Sequence, residues 1–473
     1  MNLRQKVAFN TGIQVAGQVV GLAVALLTLK LTTDYLGVET FGKLAIVLAV
    51  SGILTTLADL GVNTTLAREL AKTPERADEL GGHFLRFRVW SAIVLVAAGT
   101  ALVAFLPYDV DTRVALLIAL GSVLFGSLAT FPRAFFQTHL RLHLQAAVDV
   151  LLRVLGLGAI LIVIAFGLGL HALVALLVAA NFSAAAAAFL LSRRFWRVNL
   201  RSEWSRARPL IRDSLGIGVV SMIGLLHLKA DAVLLSFLKP AADVGIYTVA
   251  FRFVEQAFFL PGLFVAAVFP ILARYVHTKD ERLQLAVNRT FQVLLLGAVS
   301  VILGLFILAP EIVRLITTSE FDAAITPARI LSVSLAFVFV GPVFYNLLFA
   351  INRQRELIVI GVLALLLNLS LNLVLIPPYS YNGAAVATVV SECVGFIATY
   401  AVARRFASFR LDLAFLARAA AATGTAVLAA AATWGQSPWL VAVVAEVAFV
   451  ATAYAVGAVS RVELQYVLRR QGG

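Results

Sequence analysis

Lys229 and Asp231 stand two residues apart inside the apolar run HLKADAVLLSF, residues 227–237, and Arg252 and Glu255 stand three apart in the next run, YTVAFRFVEQAFF. Ammonium and guanidinium groups give charge-assisted hydrogen bonds to anions, and the guanidinium fork can grip two oxygens at once. Carboxylates beside them can hold a proton or a small cation. With about 1.5 Å of rise per helical residue, Lys229 lies about 15 Å below the end of its run at Lys239, and Asp231 about 12 Å. Counted from Val244 on the return helix, Arg252 lies about 12 Å deep and Glu255 about 16 Å. In a hydrocarbon layer about 30 Å thick these depths are near the middle. Asp231 comes level with Arg252, and Lys229 with Glu255.

A lone charge at that depth costs about 2.5–3.5 kcal/mol on the insertion scale, so such groups meet partners or a water-filled cavity. Two readings of the four charges stay open: two buried ion pairs stapling one hairpin, or a hydrated lumen lined by titratable groups. Lys30 and Asp34 share a helix face at i, i+4, with Lys30 near enough to one surface to snorkel. Asn368 and Asn372, also i, i+4, form a polar stripe that can bond another helix or line a path. Glu392 is a single acid about nine residues into its helix and a candidate ion site, with Glu446 a weaker analogue. Asp59 and Arg68 flank a helix end, where charge costs little.

These residues need long apolar elements to position them. The chain has 473 residues, 61% hydrophobic and 13% charged, with a mean hydropathy of +0.96; a soluble domain is excluded. Runs of the roughly 20 apolar residues that a spanning helix needs recur from residue 8 to residue 459. They predict about 14 transmembrane helices over 8–31, 41–62, 88–106, 114–136, 147–166, 171–191, 213–238, 244–269, 289–309, 327–350, 357–376, 383–403, 417–434 and 439–459. The first run is too long for a signal-peptide core and lacks a small-residue cleavage site after it, so it is expected to stay as a helix. Pro132, Pro261-Gly262 and Gly341-Pro342 predict kinks.

With the N-terminus placed inside, 30 of the 38 Lys and Arg residues fall on cytoplasmic sides, five on outer sides and three within helices. The positive-inside rule then predicts both termini in the cytoplasm and a cytoplasmic-membrane location. Topology also accounts for the net charge of +13, so no nucleic-acid partner is expected. Seven arginines crowd SRRFWRVNLRSEWSRARPLIR, residues 192–212, a topology determinant against anionic headgroups and a linker between halves. The halves echo each other: YLGVETFGKLAIVLAV and FLKPAADVGIYTVAFRF bring Gly42 and Gly245 to matching turns, and SRRF and ARRF close the sixth and twelfth helices. This predicts duplicated six-helix sets over 1–200 and 201–412, with two further helices and a short cytoplasmic tail over 413–473.

The single Cys393 leaves no thiol metal cluster, and His139 and His143, one turn apart, lack a third ligand; no metal and no cofactor are expected. With no connection longer than about 25 residues, and no P-loop, GxSxG or metalloprotease helix, nothing points to an enzyme.

Four segments carry a family resemblance: YLGVETFGKLAI, DLGVNTTLARELAK, KADAVLLSFLKPAADVGIYTVAFRF and LNLSLNLVLIPPYSYNGAAVATVVSE. In this order, over about residues 1–405, the chain resembles the polysaccharide transporters, the O-antigen and exopolysaccharide flippases of the superfamily that also holds multidrug extrusion antiporters and lipid II flippases. The resemblance implies an all-α integral membrane fold with two six-helix bundles around a central cavity and alternating access. It implies a polyprenyl-diphosphate-linked oligosaccharide moved from the cytoplasmic to the outer leaflet, alongside glycosyltransferases and a polysaccharide polymerase. On that reading Lys30, Lys229 and Arg252 would present cationic donors to the diphosphate, with Asn368 and Asn372 at the substrate, while Asp231, Glu255 and Glu392 would bind the driving H+ or Na+. A drug-cation antiporter of the same fold and a silent envelope scaffold are the competing expectations.

Overall fold

The computed structural model describes residues 3–198, 204–278, 282–407 and 409–458. Arg201, Lys279, Arg461, Arg469 and Arg470 of the orientation count, and the expected tail, lie outside the described residues. Among the described residues the regular elements are helices: α1 (Leu3–Asp59), α2 (Val62–Lys72), α3 (Ala77–Val103), α4 (Val110–Thr130), α5 (Arg133–Thr138), α6 (Leu142–Ala165), α7 (Leu170–Ser192), α8 (Trp204–Leu238), α9 (Ala241–Ala257), α10 (Phe259–Thr278), α11 (Arg282–Ile316), α12 (Ile325–Ala350), α13 (Gln354–Phe406), α14 (Leu413–Ala432) and α15 (Pro438–Ala455), with two short 3₁₀ turns.

Eleven helical runs among the described residues are long and apolar enough to cross a membrane. Two of these are bent double. α1 breaks at Gly37, whose φ of 70° belongs to the left-handed region that suits glycine. α13 breaks at Ser380, φ 48°, just after Pro377-Pro378. With those two bends the eleven runs hold thirteen of the expected spans, while 244–269 is helical but divided at Phe258 into α9 and α10; the fold is that of an all-α membrane protein. Most of these helices are apolar on every side, as elements facing lipid or a bundle interior must be. α2 differs: Val62, Leu66 and Leu70 are buried while Thr64 and Arg68 are exposed, an amphipathic pattern.

The proline expectations divide. Pro132 occupies the break between α4 and α5, and Pro261 falls in the first turn of α10, after the break at Phe258, where a missing N–H costs nothing. Gly341-Pro342 does not interrupt α12, which runs through it; the Pro342 carbonyl accepts a bond from Asn346 Nδ2 at 2.8 Å.

Cα packing separates two compact units: residues 1–248 with 316–320, and 249–315 with 321–473. In the first, α2, α3, α5 and the stretch after α7 close on an aromatic core in which Phe135 and Trp196 stack at 4.7 Å. The second is centred on Phe344, which packs on Phe291, Phe396, Tyr400 and Phe409.

Within the first unit the two echoing turns touch. A Cβ on Gly42 would lie 1.8 Å from the Ala241 carbonyl oxygen, and one on Gly245 would lie 2.8 Å from that of Val38. A backbone can approach this closely only where the facing residue has no Cβ. The sequence pairs these glycines as equivalent; the fold makes them neighbours.

Candidate functional site

The charges begin at the end of the first arm of α1, where Lys30 and Asp34 form an ion pair at 3.3 Å with both side chains partly exposed. In α8, Lys229 is half-buried, and Asp231, two residues on, is fully buried. Asp231 accepts a hydrogen bond from Tyr247 Oη at 2.7 Å. A phenol that is itself buried thus meets the carboxylate, joining α8 to α9 at mid-hairpin.

On α9, Arg252 Nη1 meets Glu255 Oε2 at 3.2 Å, and their side chains keep 43% and 26% of their exposure. Residues three apart on a helix lie on one face, so this pair runs along α9. Asp231 also meets a tyrosine, a type that charge counting passes over.

In the second unit Asn368 Nδ2 donates to Ser391 Oγ at 3.3 Å, and Asn372 Nδ2 donates to the carbonyl and Oδ1 of Asn368 at 2.9 and 3.1 Å. Both asparagines are buried. The ladder ties the two arms of α13 together across the bend at Ser380. Gly383 sits in the same bend, where a Cβ would lie 2.2 Å from the Leu375 carbonyl oxygen. Glu392, half-buried, follows Ser391 directly. Glu446 on α15 accepts a 2.6 Å hydrogen bond from Ser300 on α11. The first unit therefore carries Lys30, Lys229 and Asp231, and the second carries Arg252, Glu255, Asn368, Asn372 and Glu392.

Sequence reasoning missed the most deeply buried cation among the described residues. Arg88, counted as one more cytoplasmic charge, is 1% exposed. Its Nε donates to the Ser127 carbonyl at 3.0 Å, its Nη2 to Thr130 Oγ1 at 2.6 Å, and its Nη1 pairs with Asp59. Asp59, read as an inexpensive interfacial charge, is the counter-charge of a buried guanidinium that joins α1, α3 and α4. The signal was present in the position of Arg88 well inside α3, flanked by Phe87, Val89 and Trp90.

A second cluster caps the chain between α3 and α4. Lys43 Nζ lies 2.5 Å from Asp109 Oδ2, 3.6 Å from Asp111 and 3.7 Å from Glu39. Asp109 also accepts from the backbone N–H of Thr112 at 3.2 Å as the N-cap of α4. Burial pushes the Asp109 carboxyl up, but the Lys43 ammonium, the Thr112 hydroxyl and that N–H outweigh it and hold the group below the usual carboxylate range.

The model of the polysaccharide biosynthesis protein family matches residues 7–276, more than half of the chain. The chain belongs to this family. Over 367 residues, 76% of each chain, it is 23% identical to the "Probable low-salt glycan biosynthesis flippase Agl15" of Haloferax volcanii. Among solved structures it is similar to the lipid II flippase MurJ in an inward closed conformation, with a TM-score of 0.75 at 14% identity, covering 95% of this chain and 99% of that one. It is also similar to an inward-facing multidrug resistance MATE transporter, with a TM-score of 0.62 at 18% identity and coverage of 82% and 98%. At these identities the structural likeness shows the fold alone, an all-α architecture that this chain shares with both.

Proposed function

We propose that this chain is a flippase that carries polyprenyl-diphosphate-linked oligosaccharide from the cytoplasmic to the outer leaflet by alternating access, driven by a proton or sodium gradient. The observation that carries this reading is the Arg252–Glu255 pair. It lies near mid-membrane depth yet keeps 43% and 26% of its side-chain exposure. A buried pair contributes little net stability even when sealed, and an exposed one facing lipid would be costly. A pair at that depth that stays accessible is therefore best served by water, in a path that a charged cargo can share.

On this reading Lys30, Lys229 and Arg252 engage the diphosphate as charge-assisted donors, and Asn368 and Asn372 belong to the polar path. Asp231, Glu255 and Glu392 take up the coupling ion. The glycan cargo is supported by the family and by the likeness to the Haloferax volcanii protein named as a glycan biosynthesis flippase. The chain is a transporter rather than an enzyme, placed in the cytoplasmic membrane with both termini inside, where glycosyltransferases supply its cargo and a polymerase receives it.

The test is Lys229→Ala and Arg252→Ala, assayed for accumulation of lipid-linked intermediates in the inner leaflet. Normal insertion with unchanged surface glycan in both variants would overturn the cationic path. The likeness to a multidrug transporter keeps a cation antiporter as the alternative; drug efflux lost in the same variants, with surface glycan intact, would decide for it.

A further inference from the structure

A cavity of about 540 Å3 lies between α2, α5 and the start of α6, on the side that the positive-inside count assigns to the cytoplasm. Its polar lining is Asn63, Thr64, Arg133, Gln137, Thr138 and Gln145, with three alanines filling the remainder. That volume falls within the roughly 300–1,000 Å3 of small-molecule sites.

Three features of the lining decide the ligand class. The first is charge: Arg133, the single charged residue in the wall, is already committed to Asp149 at 2.6 Å. The wall is thus close to neutral, which favours an uncharged ligand over a diphosphate. The second is hydrogen bonding. Asn63 brings a side-chain carboxamide to the wall from α2. Carboxamides at Gln137 and Gln145 and the Thr64 hydroxyl share the wall, so paired donors and acceptors sit on three sides. The third is shape. Ala67, Ala71 and Ala134 line the remainder with methyl groups small enough to meet C–H faces without filling the space.

Neutral amides and hydroxyls around small apolar patches match the alternation of hydroxyl and C–H on a pyranose ring. From this we infer that the cavity is a sugar-binding site, in which the glycan portion of the cargo is held by its hydroxyls at the cytoplasmic face while the charged residues deeper in the helices wait for the diphosphate. The cargo class rests on the flippase reading above; the cavity chemistry stands without it. The site would read neutral sugar units near the reducing or distal end of the oligosaccharide and would add selectivity that phosphate contacts cannot give.

The test is protection of an engineered thiol in the purified full-length protein. Cys393→Ser removes the native thiol, Gln137→Cys places one in the cavity wall, and Asp111→Cys, exposed and at the opposite end of α4 from α5, serves as the control. Maltose and chitobiose are the neutral probes and inorganic pyrophosphate the anionic one. Either disaccharide should slow maleimide modification of Gln137→Cys by about tenfold at ten times its dissociation constant, by simple occupancy, without slowing Asp111→Cys. Adding Asn63→Leu or Gln145→Leu should abolish that protection, with elution on size exclusion showing that the protein remains folded. No protection by either disaccharide, protection that survives both leucine variants, or protection by pyrophosphate alone would overturn the proposal. Because the readout needs no transport, protection that persists in Lys229→Ala while surface glycan is unchanged would sink the flippase reading and leave the sugar site standing.

Discussion

Replacing Asp59 with Asn should destabilise the first unit more than any other single change to an ionisable residue at a helix end. Arg88 is 1% exposed, and its remaining bonds, to the Ser127 carbonyl and the Thr130 hydroxyl, are to neutral oxygens. Removing the carboxylate leaves a buried guanidinium uncompensated, and breaking one half of a buried pair costs about 3–5 kcal/mol. Asp59 itself keeps 24% of its exposure, which lets water reach the position and sets the expectation at the lower end, about 3 kcal/mol. That is about a hundredfold in the ratio of folded to unfolded protein, at about 1.4 kcal/mol per tenfold. The double variant Asp59→Leu with Arg88→Met removes both charges and should be less destabilised than the sum of its parts, with a coupling of about 0.5–3 kcal/mol. The assay is unfolding in mixed micelles by increasing sodium dodecyl sulfate, followed by fluorescence; Trp196 lies in the core beside Phe135 and reports on this unit. A midpoint shift for Asp59→Asn corresponding to less than about 0.5 kcal/mol, the scatter of ordinary surface substitutions, or strict additivity in the cycle, would refute the reasoning.

Other perturbations follow from the same contacts. Gly42→Ala should cost more folded protein than Gly245→Ala, since the added carbon lies 1.8 Å rather than 2.8 Å from a backbone oxygen; monodisperse yield on size exclusion after mild heating measures this. Tyr247→Phe withdraws a donor from the buried Asp231 and should lower stability by about 1–3 kcal/mol, with little change in the α-helical circular dichroism. Asn368→Leu should unfasten the two arms of α13 at a similar cost of about 1–3 kcal/mol, whereas Ser370→Ala, whose hydroxyl bonds only the Leu366 carbonyl on the exposed side, should be close to neutral. Asp109 has a lowered pKa in the fold, so its contribution is fully present above the ordinary carboxylate pKa and is lost as pH falls through the lowered value. The melting difference between wild type and Asp109→Asn should therefore exist at neutral pH and close on acidification below about 4; because the group is half exposed, the difference should also shrink with salt.

Much of this protein is legible in the linear sequence. Hydrocarbon tolerates only backbone that satisfies itself, so runs of apolar residues had to be helices, and their order and rough extent could be read directly. The same physics made Lys30, Lys229, Asp231, Arg252 and Glu255 conspicuous, because charge inside such runs needs a reason. Gly42 and Gly245 were visible as echoes. What the sequence alone could not supply was partnership across helices. A charge advertises itself by its type, but the group it meets is set by helix rotation and tilt, which composition does not encode. Hence Tyr247 is a partner that Asp231 does not advertise, and Arg88, hidden among the cytoplasmic cations, found Asp59 only when α1, α3 and α4 converged. The bend at Ser380, which folds Asn368 back onto Ser391, and the neutral cavity under α2 belong to the same class: each is made by surfaces that meet only in three dimensions.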